Sequence, residues 1–234
     1  ACRGGAAAFI VEPLLLGAGG MLTYPPATLA DMRRICAHHH VPFIADEVMT
    51  GWGRTGTLFA CEQAGVVPDI LCLSKGLTGG AVPLAVTMAT EPIYAAHYGS
   101  DRASMFFHSS SYTANPVACA AANANLAIWR EEPVLERVAD LARRQADRLA
   151  ALGSPDVVNA RQIGTITAIE AGDGEGYLSD LAPRLTTVFR DRDVLLRPLG
   201  NTVYVMPPYC IDDDDLDLIY DSIAEAIAVT SPRA

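Results

Sequence analysis

Apolar residues fall along the chain in short runs that end on charged or reactive side chains. Residues 6–11 close on Glu12-Pro13, 41–45 on Asp46-Glu47 and 70–73 on Ser74-Lys75, and a fourth run covers 84–89. Runs of this length predict buried strands of a parallel sheet. Between the first two runs, Leu29, Met32, Ile35 and Cys36 keep helical spacing across 28–40, behind Pro25-Pro26. Strands alternating with helices or long crossovers predict an α/β domain with a mostly parallel sheet covered on its faces.

From 115 to about 152 the chain is alanine-rich and free of glycine, which predicts helix, broken at Pro133. Past Gly153-Ser154-Pro155 the pattern changes. Residues 157–169 and 194–206 read as antiparallel strands, and 178–191 and 214–229 as helices. A domain boundary near 153 is expected, with 1–152 as part of a large domain and 153–234 as a smaller α+β domain. The chain opens almost directly on a buried-type strand, so it reads as the back part of something longer.

Composition narrows the class. Of the 234 residues half are hydrophobic and 19% charged, which excludes a disordered chain. No apolar run approaches the ~18 residues of a membrane span, and the start lacks the layout of a signal peptide. A net charge of −10 argues against a nucleic-acid backbone or an anionic membrane surface as partner. Six cysteines stand without a CxxC pair, the pattern of free thiols in a reducing cytoplasm. Lys75 is the single lysine among 17 basic residues.

Glu12, Asp46 and Lys75 all end predicted parallel strands, the edge where open α/β sheets bind ligands. An amine leaving the apolar run before Lys75 would be partly desolvated and nucleophilic toward a carbonyl; a lysine snorkelling to solvent is the plainer alternative. Asp46 emerges from an apolar strand and needs a cationic or hydrogen-bonding partner. A protonated pyridine nitrogen would serve, and a lysine imine with an aspartate-paired pyridinium is the pattern for pyridoxal phosphate. Gly51, Gly53 and Gly56 spell a G-x-G-x-x-G, but residues 46–50 separate it from the strand and Asp69 precedes its strand, so the glycines read as a loop over the site rather than a dinucleotide fingerprint. Ser109, Ser110 and Ser111 lead through Asn115-Pro116 into the long helix, where hydroxyls suit a phosphate or plain capping equally well. The acids at 212–215 open a helix and favour its dipole, with a metal as the sharper alternative. His38-His39-His40 end a helix and read as solvated.

Taken together, Glu12-Pro13 with Gly17-Ala18-Gly19-Gly20-Met21, Ala45-Asp46-Glu47-Val48, the stretch from Gly51 to Gly56, Pro68-Asp69-Ile70, Ser74-Lys75-Gly76-Leu77 and Asn115-Pro116 resemble class III pyridoxal-phosphate aminotransferases, in order and spacing, over nearly the whole chain. Residues 68–80, 115–123 and 197–209 are most similar to the branch that serves biotin synthesis. The resemblance implies a fold type I transferase using pyridoxal 5′-phosphate, a homodimer, a small-molecule amino donor (S-adenosylmethionine in that branch) and a keto acceptor. It implies that Lys75 carries the cofactor and moves the proton, that Asp46 pairs with the pyridine nitrogen and that Val48 packs on the ring. Ser110 and Ser111 would bind phosphate, typically that of a neighbouring subunit's cofactor. Arg197 would hold the carboxylate of the keto acid, and Ser109 and Glu12 would lie near substrate. Members of the family are close to twice this length. An ω-amino-acid:pyruvate aminotransferase and an inactive truncated domain are the competing readings.

Overall fold

A computed structural model describes residues 5–108, 110–172, 176 and 179–230. In chain order its elements are β1 (Phe9–Val11), β2 (Leu15–Leu16), β3 (Leu22–Thr23), α1 (Pro26–His38), β4 (Phe43–Asp46), β5 (Ile70–Leu73), β6 (Val86–Ala89) and α2 (Glu91–His97). There follow α3 (Pro116–Glu131), α4 (Val134–Ala151), β7 (Val157–Ile163), β8 (Ile166–Ala171), α5 (Leu181–Asp191), β9 (Thr202–Val205) and α6 (Asp213–Thr230). Two compact units emerge. The first takes residues up to 14, 24–52 and 57–134, and the second takes 15–23, 53–56 and 135–234.

The first unit is built on a sheet of order β1-β4-β5-β6. β1, β4 and β5 run parallel, and β6 is antiparallel to β5. The expected parallel core is therefore present, with a reversed edge strand supplied by the short connection after Lys75. Phe43 and Ala45 of β4 and Leu29 of α1 are fully buried, which is why the apolar run and the helical spacing coincide with these elements. Asp69 clamps the crossover: it accepts from Arg33 at 2.8 and 3.2 Å and from the Phe43 N–H at 2.7 Å.

The second unit carries the antiparallel sheet β7-β8-β9. Its core joins Leu141, Ile169, Leu185, Phe189, Val203, Leu216 and Ile223, drawn from α4, α5, α6 and the sheet. A buried polar chain lies among them. Gln145 Nε2 donates to the Thr165 carbonyl at 2.7 Å, the Tyr220 hydroxyl donates to Gln145 Oε1 at 3.3 Å, and the Tyr220 and Thr167 hydroxyls meet at 2.7 Å.

Three sequence expectations change here. The stretch 157–169 is two strands, turning at Gly164, where φ is 52° and a β-carbon would lie 2.4 Å from the Arg54 carbonyl oxygen. Of 194–206 only Thr202–Val205 is strand, because the Leu199 and Thr202 backbones pair with each other to close a turn. The break between units falls at 134/135 rather than near 153. α4 packs Leu141 into the second core, and its Arg148 pairs with Asp213 at 2.9 Å and Asp217 at 2.7 Å of α6.

Candidate active site

Asp46 is the last residue of β4, and its register partner on β5 is Cys72. Three residues beyond Cys72 the chain enters a short 3₁₀ turn, Lys75–Thr78. Two strands about 4.8 Å apart thus deliver a carboxylate and an amine-bearing turn to one sheet edge. Lys75 itself has φ 43°, the left-handed region that costs a β-carbon-bearing residue of order 1 kcal/mol or more. The surroundings hold it there. Ser74 Oγ donates to the Leu84 carbonyl at 2.7 Å, and Asn125 Nδ2 of α3 donates to the Gly76 and Leu77 carbonyls at 2.9 and 3.2 Å. Leu77 is buried with Trp52, Leu73 and Ala122.

The half-buried Asp46 receives the Val48 N–H on Oδ1 at 3.1 Å, and among the described residues its Oδ2 has no donor. Its neighbour Glu47, which the sequence pattern did not single out, is fully buried and structural. It accepts from the Thr50 hydroxyl at 2.6 Å and from the Ala60 and Cys61 N–H groups at 3.1 and 2.8 Å. Burial, reinforced by Glu47, pushes the Cys61 thiol up. Adjacent acids at a strand end are visible in the sequence; which of them faces inward is not.

Lys75 is exposed, so the desolvation expected for its ammonium is not present in this chain: the turn carries it clear of the strand's apolar neighbours. Among the described residues it makes no ion pair.

The remaining candidates are spread. Glu12 is half-buried at the end of β1, and its carbonyl accepts the Tyr24 hydroxyl at 2.7 Å. Burial, with the charges of Glu12 and Glu47 adding, raises that hydroxyl to about 12. Ser110 and Ser111 are exposed in the turn before α3, where the Ser110 N–H donates to the Thr113 hydroxyl at 3.0 Å. Capping of α3 falls to Asn115, whose Oδ1 accepts the Val117 N–H at 3.0 Å. The serine hydroxyls make no hydrogen bond among the described residues. At 1.5 Å per residue, the start of α3 at Pro116 lies about 14 Å along its axis from the Asn125 contact with the lysine turn. Ser109 lies outside the described residues. Arg197 belongs to the second unit, exposed between α5 and β9.

The glycine-rich stretch has no helix opening at Gly56; a short turn at Ala60–Ala64 comes after it instead. Arg54 lies with its guanidinium 4.6 Å from the Tyr209 ring centroid and donates to the Pro207 carbonyl. Its own carbonyl accepts the Thr165 N–H at 3.0 Å. Burial lowers the Arg54 pKa and raises that of Tyr209. At the far end, Asp212 Oδ1 accepts the Asp215 N–H at 2.9 Å at the start of α6.

An open, largely parallel sheet whose neighbouring strands end on an aspartate and a lysine turn has the architecture of fold type I pyridoxal-phosphate-dependent transferases. The chain belongs to the class-III aminotransferase family, whose sequence model matches residues 3–227. Adenosylmethionine-8-amino-7-oxononanoate aminotransferase of Nitratidesulfovibrio vulgaris is 43% identical over 97% of this chain and 44% of its own length. The crystal structure of the protein of that name from Methanocaldococcus jannaschii superposes with a TM-score of 0.86 at 32% identity, covering 94% of this chain and 53% of that one. A thermostable (S)-enantioselective omega-transaminase from Thermomicrobium roseum superposes with a TM-score of 0.88, also at 32% identity, over 97% of this chain and 52% of its own. The chain spans about half the length of the curated relatives it matches.

Proposed function

We propose that this chain is part of a pyridoxal-phosphate-dependent aminotransferase that moves the amino group of S-adenosylmethionine to 8-amino-7-oxononanoate, giving 7,8-diaminononanoate for biotin synthesis. The observation that carries the chemistry is the pairing of Asp46 with Cys72 at the carboxyl ends of β4 and β5, three residues before Lys75. The donor set fits the cofactor. Among the described residues Asp46 Oδ2 has no donor and could take a protonated ring nitrogen, the Lys75 amine has no ion-pair partner and could meet an aldehyde, and the Ser110 and Ser111 hydroxyls make no hydrogen bond and could take phosphate. Pyridoxal phosphate supplies, when bound, a sink for the electron pair released at the substrate α-carbon.

The chain's own groups divide the remaining work. The Val48 N–H holds Asp46 Oδ1, which would leave Oδ2 to a protonated ring nitrogen, and the Val48 side chain would pack against the ring. Lys75 Nζ would hold the cofactor through its aldehyde, and the same amine, once released, would be the base for the proton of the substrate α-carbon. Ser110 and Ser111 would serve the phosphate of a neighbouring subunit's cofactor, and the working unit would then be a homodimer. Arg197 grips the carboxylate of the keto acid with its planar fork, and Ser109 and Glu12 border the substrate. The working enzyme is cytoplasmic. The identity to the biotin-branch relatives supports this choice of substrates.

The likeness to the omega-transaminase favours a second reading, with a different amino donor such as alanine. The full-length enzyme decides between them. Amino transfer from S-adenosylmethionine to 8-amino-7-oxononanoate, lost in Lys75→Ala, is the expected result. Transfer to 8-amino-7-oxononanoate from alanine with none from S-adenosylmethionine would overturn the substrate assignment.

A further inference from the structure

One face of α3 packs on the lysine turn, and that face holds a polar residue in an apolar stripe. Ala122, Leu126 and Trp129, at helical spacing, join the cluster that buries Leu77 with Trp52 and Leu73. Asn125 stands in the same stripe, half-buried. An amide there costs free energy unless its hydrogens find acceptors, and the turn supplies two. Nδ2 donates to the Gly76 carbonyl at 2.9 Å and to the Leu77 carbonyl at 3.2 Å. The backbone serves only one of these carbonyls: the Gly79 N–H reaches that of Gly76 at 3.1 Å, and among the described residues no backbone N–H reaches that of Leu77. Gly76 also lies against the Trp52 side chain. The two residues after Lys75 are therefore held firmly, while the exposed Lys75 side chain makes no ion pair among the described residues. Where its amine stands follows from the backbone, which starts the turn at φ 43°.

We propose that Asn125 is a positioning residue for Lys75: its amide, donating from α3 to the two carbonyls that follow the lysine, keeps the turn in the left-handed start that aims the amine. The proposal rests on the reading of Lys75 as the residue that holds the cofactor. In the full-length enzyme, Asn125→Leu, similar in size and without a donor, weakens pyridoxal 5′-phosphate binding about fivefold, as loss of a modest hydrogen-bonded contact does. It also shifts the pH midpoint of the bound cofactor's absorbance change by more than about 0.3 unit, because the lysine–cofactor bond is held at a different angle. Asn125→Asp, which keeps the volume and sets only acceptors against the carbonyls, gives a larger loss in the same direction.

Lys75→Ala separates positioning from structure, since cofactor bound without the lysine cannot sense where its amine stands. In a double-mutant cycle read by equilibrium cofactor binding, Asn125→Leu should change the dissociation constant by less than about 1.5-fold in the Lys75→Ala background. The same loss in both backgrounds, or a pH midpoint unmoved by Asn125→Leu, overturns the role of Asn125 and leaves that of Lys75 standing. Asn125→Asp runs the same cycle where the leucine variant does not fold. Borohydride-reducible attachment to this half of the protein that survives Lys75→Ala would overturn the reading of Lys75, and the positioning role with it.

Discussion

Gly76 packs so tightly on Trp52 that a β-carbon at position 76 would stand 2.6 Å from the Trp52 β-carbon and 2.8 Å from its Cγ. Trp52 cannot yield easily: it is 5% exposed and has φ 59°. Gly76→Ala must therefore move the turn that bears Lys75. The expected cost is about 1–3 kcal/mol of stability, together with a loss of cofactor binding larger than that of a neutral surface change. Thermal unfolding and cofactor titration on one protein check both.

Lys75 is the sole lysine, so amine chemistry has one side-chain target. Borohydride reduction of cofactor-loaded full-length enzyme, followed by peptide mapping, should place label within this half of the protein on the peptide carrying Lys75. Label confined to other amines of a cofactor-binding preparation would remove Lys75 from its role.

Asp46→Asn exchanges an anion for a neutral amide while keeping the shape. The bond it weakens is charge-assisted, worth about 1.5–3 kcal/mol, and the electron sink weakens with it. Turnover of the full-length enzyme should fall by more than about tenfold, exceeding the loss in cofactor affinity. Turnover within about threefold of the parent (under ~1 kcal/mol of barrier) counts against the assignment.

Arg197→Lys keeps the charge and loses the fork. The Michaelis constant for the keto acid should rise, with the amino donor's half-reaction nearly unchanged. Equal damage to both halves would instead mark Arg197 as structural.

Tyr220 gives the second unit a pH signature. Burial raises its hydroxyl to about 12, against an ordinary value of 10.0. Below pH 10 both folded and unfolded chains hold the proton. Between 10 and 12 the unfolded chain releases it and the folded one does not, so stability falls as pH rises, by up to ~1.4 kcal/mol per pH unit for this group. Tyr220→Phe should flatten that fall in denaturant titrations. At neutral pH the same change costs about 1–2 kcal/mol, because Thr167 and Gln145 lose a partner.

The strands that lead to Asp46 and Lys75 were legible because each is an unbroken apolar run, and the first polar residues after such a run mark the sheet edge. Pro133 marked the break between α3 and α4 for an equally local reason. The features that stayed hidden were non-local. The turn at Gly164 depends on a backbone more than a hundred residues earlier, and the β2–β3 hairpin (Leu15–Leu16 with Leu22–Thr23) is too short to show alternation. The inward turn of Glu47 depends on two N–H groups from residues 60 and 61. Exposure of Lys75 likewise comes from the left-handed turn, which no run of apolar residues announces.

Gly164 fits against the backbone of Arg54, Thr55 and Gly56, and Arg161 donates to the carbonyls of Gly20 and Met21 at 2.6 and 2.8 Å. The second unit is therefore not a continuous stretch of chain. It must gather two short segments from the far end of the sequence, closing loops of roughly a hundred residues and more, whose entropy is lost before the contacts return anything. Residues 153–234 excised alone would leave Arg161 without its carbonyls, the Gly164 hollow open and Gln145 absent from its network. The unit's non-local contacts place its completion late on the folding pathway, after residues 15–23 and 53–56 have been recruited.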